Sequence, residues 1–354
     1  MRDFIYDTLP IRVVFGPGQV SQIAVEAARL GLGRVLVLST PGQRALGQRV
    51  TDLLGARAVG FHAYAKMHVP IEVGAAAVGE ARTLKADGAV AVGGGSAIGL
   101  GKIIARDLGL PLLAVPTTYS GSEMTAIWGQ TEAGVKTTAR DPKVLPRTVI
   151  YDPELTVALP RATSATSGMN AIAHAVEALY AANANPITSI MAEQSIAALS
   201  QSLPRIVADP QNIGARGDAL YGAWLAGVAL GAVGMALHHK LCHTLGGAFN
   251  LSHAEVHTVI LPHAAAYNAA AVPEAMARIA AALGTSDAPQ GLFDLARRLG
   301  APTSLAALGL KDTDLDHAAD LAVANPYANP AVVTRAGIGA LLDDAYHGRP
   351  PAEA

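Results

Sequence analysis

The residues best able to do chemistry lie in one stretch, Met235 to His263, MALHHKLCHTLGGAFNLSHAEVHTVILPH. It holds His238, His239, His243, His253, His257 and His263, six of the 11 histidines in the chain. A buried imidazole is costly unless it is hydrogen-bonded, ligated or catalytic. His239 and His243 are spaced i, i+4, and so are His253 and His257, so on helices each pair shares a face. Surface histidines would be the plain account. Their density in an apolar, charge-poor region points instead to a metal centre or a proton-transfer site.

The rest of the chain must position that stretch. Its first part alternates short apolar runs with helical patterns. Arg12 to Phe15, Arg34 to Leu38, Ala58 to Phe61, Ala89 to Val92 and Leu110 to Val115 read as strands. Helical patterns separate most of them, over Ser21 to Leu30, Val50 to Leu54, Glu72 to Leu84 and Ala97 to Leu108. This rhythm predicts a parallel sheet covered by helices on both faces. From Pro160 onward strand-like runs become rare and Ala-rich helical periodicity takes over. The expected division is an α/β domain over 1–160 and an all-α domain over 161–354 that carries the His-rich stretch. Helices are expected over Ala165 to Tyr180 and Pro186 to Ser202, and Thr258 to Ala271 reads as a segment interrupted by Pro262.

Two loops in the first part invite a ligand. Gly93-Gly94-Gly95-Ser96 joins a buried strand to a helix. Glycines there let backbone N–H groups approach an anion, and the helix N-terminus adds partial positive charge. The turn is not GxGxxG, so an ordinary Rossmann fingerprint is absent. Pro116 to Glu123, PTTYSGSE, is a hydroxyl-rich loop after another strand, where ligands bind in such sheets. Lys136, Arg140, Lys143 and Arg147 follow among turn and strand signals. They fit a solvated hairpin, or contacts to an anionic ligand.

Composition narrows the class. Of 354 residues, 51% are hydrophobic and 15% charged, with a formal net charge of −2, which suits a compact enzyme and offers no basic stripe for nucleic acid. One cysteine, Cys242, excludes an internal disulfide framework and suits a reducing cytoplasm. No signal peptide is apparent in MRDFIYDTLPIRVVF. Ala219 to Leu237 carries no charge, but it is rich in Ala and Gly and runs into HHKLCH, so it reads as a buried central helix and not a membrane span.

In order, GGGS, PTTYSGSE, SGMNAIAHAVEALY and HHKLCHTLGGAFNLSHAEVH make the sequence resemble the iron-containing (group III) alcohol dehydrogenase superfamily over nearly its whole length. The resemblance implies a dehydroquinate-synthase-like fold that is often dimeric. It implies NAD(P) bound in the cleft between the domains. The residues implied are Gly93, Gly94, Gly95, Ser96, Thr117, Thr118 and Ser120, with Ser39, Thr40 and Lys136. Metal-using members take one Asp and three His as ligands. The matching positions are Asn170, His174, His239 and His253, so the only anionic ligand is replaced by a neutral amide. The turn reads GGGSAIGLGK, with Gly99 where the family has Asp.

Both departures resemble the maleylacetate reductase branch. It implies NADH- or NADPH-dependent reduction of the C=C bond of maleylacetate to 3-oxoadipate, a late step in breakdown of resorcinol, hydroxyquinol or chlorinated aromatics. The expectation is that no metal is required. A conjugated enone can accept hydride without a Lewis acid if donors stabilise the enolate. His243 matches the family's non-ligand catalytic His and is the expected acid or enolate stabiliser, with His253 beside it. His174, His239 and Asn170 are expected donors to substrate, and Lys136, Arg140 and Lys240 weaker candidates for its carboxylates. Strand Leu36 to Leu38 ends in Ser39-Thr40 without the acid that would repel a 2′-phosphate, so either nucleotide is expected. The rival readings are a metal-dependent alcohol or polyol dehydrogenase that tolerates Asn, a nucleotide binder without turnover, and a lyase of the dehydroquinate-synthase type.

Overall fold

The computed structural model describes Phe4 and residues 6–133, 135–325 and 327–352, with backbone only at 135 and 136. It divides into two compact units, one over Leu9–Leu159 and one over Pro160–Ala354. Of the segment before Leu9, Phe4 and residues 6–8 group with the second unit, although the sequence places them with the first.

The first unit alternates as expected: β1 (Arg12–Phe15), α1 (Ile23–Arg29), β2 (Val35–Leu38), α2 (Arg44–Leu54), β3 (Ala58–His62), α3 (Ile71–Thr83), β4 (Gly88–Gly93), α4 (Gly95–Leu108) and β5 (Leu112–Pro116). A hairpin, β6 (Ile127–Glu132) and β7 (Val135–Arg140), precedes β8 (Thr148–Tyr151). Six strands form one sheet in the order β1-β8-β5-β4-β2-β3, and every pairing in it is parallel. The four inner strands, VLVL, GAVAVG, LLAVP and TVIY, are buried throughout, because helices cover both faces. The chain leaves β2 toward β3 on one side and leaves β4 toward β5 on the other. That reversal puts the ligand crevice of a doubly wound sheet at the carboxyl ends of β2 and β4. β6 and β7 pair antiparallel as a separate ribbon that includes positions 136 and 140, while Lys143 and Arg147 lie beyond it.

The second unit is helical: α5 (Arg161–Tyr180), α6 (Pro186–Ala208), α7 (Ile213–Ala232), α8 (Leu237–Ala248), α9 (His253–Ala269), α10 (Pro273–Leu283), α11 (Ala288–Arg298), α12 (Leu315–Val323) and α13 (Arg335–His347). α5 is buried from Ser164 to Tyr180, so it is a central helix with no solvent face along that length. Two expectations about helix extent change. α9 runs through Pro262 without ending there. An interior proline forfeits one backbone hydrogen bond, and here Val256 to Ala265 are buried continuously, so packing holds the helix through it. Conversely, the apolar run Ala219 to Leu237 is not one helix. α7 stops at Ala232, and α8 starts at Leu237 at 97° to it. The break is held by side chains: Gly234 N donates to Asn183 Oδ1 at 2.9 Å and Ala236 N to Glu177 Oε2 at 2.9 Å. Among the described residues no single helix is long and apolar enough to cross a membrane, and the bent pair α7–α8 passes only by length and composition.

Candidate active site

Two places in the structure gather the chemistry, one in each unit. In the α/β unit, β4 ends at Gly93, whose φ of 144° lies outside the range of ordinary side-chain-bearing residues. α4 begins at Gly95, two residues earlier than the apolar pattern predicts. Its first backbone donors are Ala97 and Ile98, both to Gly94 O. The N–H groups of Gly95 and Ser96 therefore precede the helical ladder and are set to meet an anion. Thr117 N donates to Gly93 O at 3.2 Å, which ties the PTT loop to this turn. Gln43, from the loop after β2, donates through Nε2 to Thr117 Oγ1 at 2.7 Å. Thr118 Oγ1 and Gln43 Oε1 are buried without a hydrogen-bond partner. A Cβ at Gly94 would stand 2.8 Å from Thr118 Cγ2 and 3.0 Å from its Oγ1. The Thr118 hydroxyl can donate, and beside a cradle that a methyl group would fill it suits a nucleotide phosphate; Gln43 Oε1 only accepts.

Not every expected contact is placed there. Ser39 is fully buried, and its hydroxyl donates to Thr40 O at 3.1 Å, so it serves the loop's own structure. Thr40 is half-buried beside it. The side chain of Lys136 lies outside the described residues. Arg140 is exposed on β7, opposite Ile127. Ser120 is half-buried in the loop after β5.

Two residues unforeseen from sequence hold that loop. Lys102 of α4 is buried, and its Nζ donates to Ser122 O at 2.7 Å, Thr125 O at 2.8 Å and Ile127 O at 2.7 Å. Burial pushes its pKa down to about 7, opposed by nearby Glu123. Glu123 is itself buried and accepts from Tyr151 Oη at 2.8 Å, and burial raises its pKa. The signal was a single lysine in the apolar pattern IGLGKII.

In the helical unit, α5, α8 and α9 bring six histidines together. His174 and His239 stack with ring centroids 4.9 Å apart, and His239 lies 5.0 Å from His257. His253 lies 4.3 Å from His257 and 6.2 Å from His243. The sixth is His238, 4.7 Å from His257. Exposure grades through the group. His238 and His257 are fully buried, His174 and His239 nearly so, His253 is half-buried and His243 exposed. His263 packs its ring 6.5 Å from Phe293, and burial lowers its pKa to about 4. Lys240 extends its ammonium over Tyr327, 5.7 Å from the ring centroid.

The inner rings are ordered by a residue the sequence reading passed over. Glu177, on the face of α5 that also carries Asn170 and His174, is fully buried. Its carboxylate accepts from His239 Nδ1 at 2.6 Å, His238 N at 2.8 Å and Ala236 N at 2.9 Å. A carboxylate only accepts, so Nδ1 of His239 carries the proton. In the tautomer with its lone pair on Nε2, His239 accepts from His174 Nδ1 at 2.8 Å. His174 Nε2 in turn accepts from Asn170 Nδ2 at 3.3 Å. Asn170, His174, His239 and Glu177 thus form one directional chain of hydrogen bonds. The spacing of Asn170, His174 and Glu177 at i, i+4 and i+7 was visible as a single helix face.

That chain occupies three of the four superfamily metal positions, Asn170, His174 and His239. Asn170 turns its amide nitrogen, not its oxygen, to His174, and contributes no charge. Asn170 Oδ1 is buried without a hydrogen-bond partner, and the set as a whole has no anionic ligand.

Family models match both halves of the chain: the iron-containing alcohol dehydrogenase model over residues 10–153 and its C-terminal counterpart over 164–346. The chain belongs to the iron-containing alcohol dehydrogenase family. It is 58% identical over 351 residues to the maleylacetate reductase of Burkholderia cepacia, covering 99% of this chain and 100% of that one. It is 57% identical to the maleylacetate reductase of Sphingobium indicum, over 98% of this chain and 99% of the relative. The crystal structure of maleylacetate reductase from Agrobacterium tumefaciens superposes with a TM-score of 0.96 at 52% identity, over 99% of this chain and 100% of that one. Within this family the GGGS turn and the histidine helices of the present chain keep the family fold, while three of the four ligand positions, Asn170, His174 and His239, are joined in a hydrogen-bonded chain that ends on Glu177.

Proposed function

We propose that this chain reduces the carbon–carbon double bond of maleylacetate to give 3-oxoadipate, with NADH or NADPH as reductant. The observation that carries the reading is the hydrogen-bonded chain from Asn170 to Glu177 where metal-using members place their ligands. Full-length similarity to maleylacetate reductases supports the substrate. The nicotinamide, when bound, supplies the hydride. Gly95 and Ser96 N–H groups and Thr118 Oγ1 are the groups suited to its phosphates. The acceptor is the substrate carbon β to its ketone, and the electrons move to the ketone oxygen as an enolate. His239 and His174, buried and fixed in tautomer by Glu177, line the inner side of the group. His253 and His243 form its accessible side and are placed to stabilise the enolate and deliver a proton to the carbon next to the ketone. No step needs a metal. The metal-dependent alcohol dehydrogenase reading lacks its anionic ligand at Asn170. The absence of an acid at Ser39-Thr40 supports use of both nucleotides. β1 is an edge strand with Phe15 exposed, which supports assembly as a homodimer, checked by solution mass.

The deciding experiment is NADH oxidation with maleylacetate after exhaustive chelation, with 3-oxoadipate identified as product. The expected result is turnover unchanged by chelation. Activity lost to the chelator and restored by iron or zinc would return the protein to the alcohol dehydrogenase reading. The cofactor cradle has its own test. Gly94→Ala forces Thr118 aside and crowds the turn, and should raise KM for NADH on the order of tenfold while changing kcat less. An unchanged KM would remove this turn from cofactor binding.

A further inference from the structure

His238, Cys242 and His257 form a second grouping beside the hydrogen-bonded chain, and the proposed reaction does not use it. All three are fully buried. His238 and Cys242 are one turn apart on α8, the usual spacing of two ligands on a helix, and His257 comes from α9. One ligand atom from each lies within 4.8 Å of the others. Cys242 Sγ is 3.6 Å from His238 Nε2, and His238 Nε2 is 2.9 Å from His257 Nδ1. A tetrahedral zinc-type ion with bonds of about 2.3 Å to sulfur and 2.0–2.1 Å to nitrogen places S and N about 3.6 Å apart and N and N about 3.3 Å apart. The Cys242–His238 spacing already matches, the nitrogen pair must open by about 0.4 Å, and Cys242 Sγ and the His257 ligand atom, within 4.8 Å of each other, must settle near about 3.6 Å.

We infer that His238, Cys242 and His257 bind one thiophilic divalent cation of the zinc or cobalt type, on the same two helices as the family positions His239 and His253. The site supplies one thiolate and two neutral imidazoles, the soft set such ions prefer. Burial holds both rings well below the ordinary histidine pKa, so their lone pairs are not lost to protons at neutral pH. Burial also raises Cys242, with Glu177 adding to the effect. Binding therefore releases the thiol proton to solvent as the sulfur–metal bond forms. Glu177 then provides a second negative charge near the ion. This site is independent of the reaction proposed above.

The test uses the full chain, treated with chelator, desalted and titrated with Co(II). The expected result is one cobalt per chain, a near-ultraviolet thiolate-to-cobalt absorption band and a raised Tm. Cys242→Ala should abolish the band and weaken binding on the order of tenfold or more, and Asn170→Ala should leave both unchanged. Cys242→Ser, closer in size, gives the same reading if the alanine variant does not fold. The inference fails if the wild-type chain binds no cobalt, if binding carries no thiolate band, if the band survives in the Cys242 variants, or if Asn170→Ala removes it. None of these readouts involves turnover, so this outcome and that of the maleylacetate assay are separate.

Discussion

His243→Ala should lower kcat with maleylacetate and NADH by about two to four orders of magnitude, the usual contribution of a positioned general acid. The ring sits on α8 one turn beyond His239 and stacks at 6.2 Å against His253. It is the most exposed of the clustered rings, so a proton lost to product can be recovered from solvent. Its exposure also means that truncation should change stability little, within about 0.5 kcal/mol. The loss should therefore appear in kcat at unchanged Tm, with KM for NADH unaffected. His253→Ala provides the contrast. His253 is half-buried and packs 4.3 Å from His257, so its removal should lower both kcat and Tm. If His243→Ala turned over at a near-normal rate while His253→Ala did not, the proton donor would be His253.

How much of this was readable beforehand depends on where the determinants lie. β2, β4 and β5 were legible because strands buried on both faces are written as unbroken Val, Leu and Ala runs. The GGGS turn was legible because only glycine serves at Gly93, and the paired His spacings because each lies on one helix face. The start of α8 was not. Nothing local ends the apolar run from Ala219 to Leu237; the break is made by Asn183 and Glu177, which lie 51 and 59 residues from the backbone groups they cap. Pro262 misled in the opposite direction, because local propensity counts the lost hydrogen bond and cannot count the packing around α9. Lys102 shows in the sequence only as a lone lysine in an apolar pattern, and its role appears when three loop carbonyls are seen around it. Ser39 was a reasonable ligand contact by position, and its hydroxyl is turned inward by its neighbours.

The residue most underrated by its sequence context is Glu177, and Glu177→Ala should destabilise the chain by about 3–5 kcal/mol, because three buried N–H donors lose their acceptor at about 1–3 kcal/mol each. Three N–H groups would lose their acceptor: two that open α8 and the Nδ1 of His239. α8 has no side-chain cap of its own from neighbouring residues, so no local group replaces the loss. Glu177→Gln is the sharper variant. It keeps the volume and one acceptor oxygen, and its amide nitrogen must face one of the same N–H donors. Stability should fall less, by about 1–3 kcal/mol. If the amide nitrogen faces His239, that ring must turn its lone pair to Nδ1 and carry its proton on Nε2. His174 would then have to reverse its hydrogen bond as well, and the chain as far as Asn170 would change direction. A residue that only supported α8 would lower Tm and leave the kinetics of the folded fraction intact. A residue that sets the tautomers should also lower kcat in Glu177→Gln on the order of tenfold or more, and Glu177→Asp, which retains an acceptor-only group, should recover part of it. Histidine ring nitrogen shifts in Glu177→Gln, read by NMR below its Tm, would show whether Nδ1 or Nε2 of His239 holds the proton. An unchanged tautomer with unchanged kcat would confine Glu177 to capping the helix.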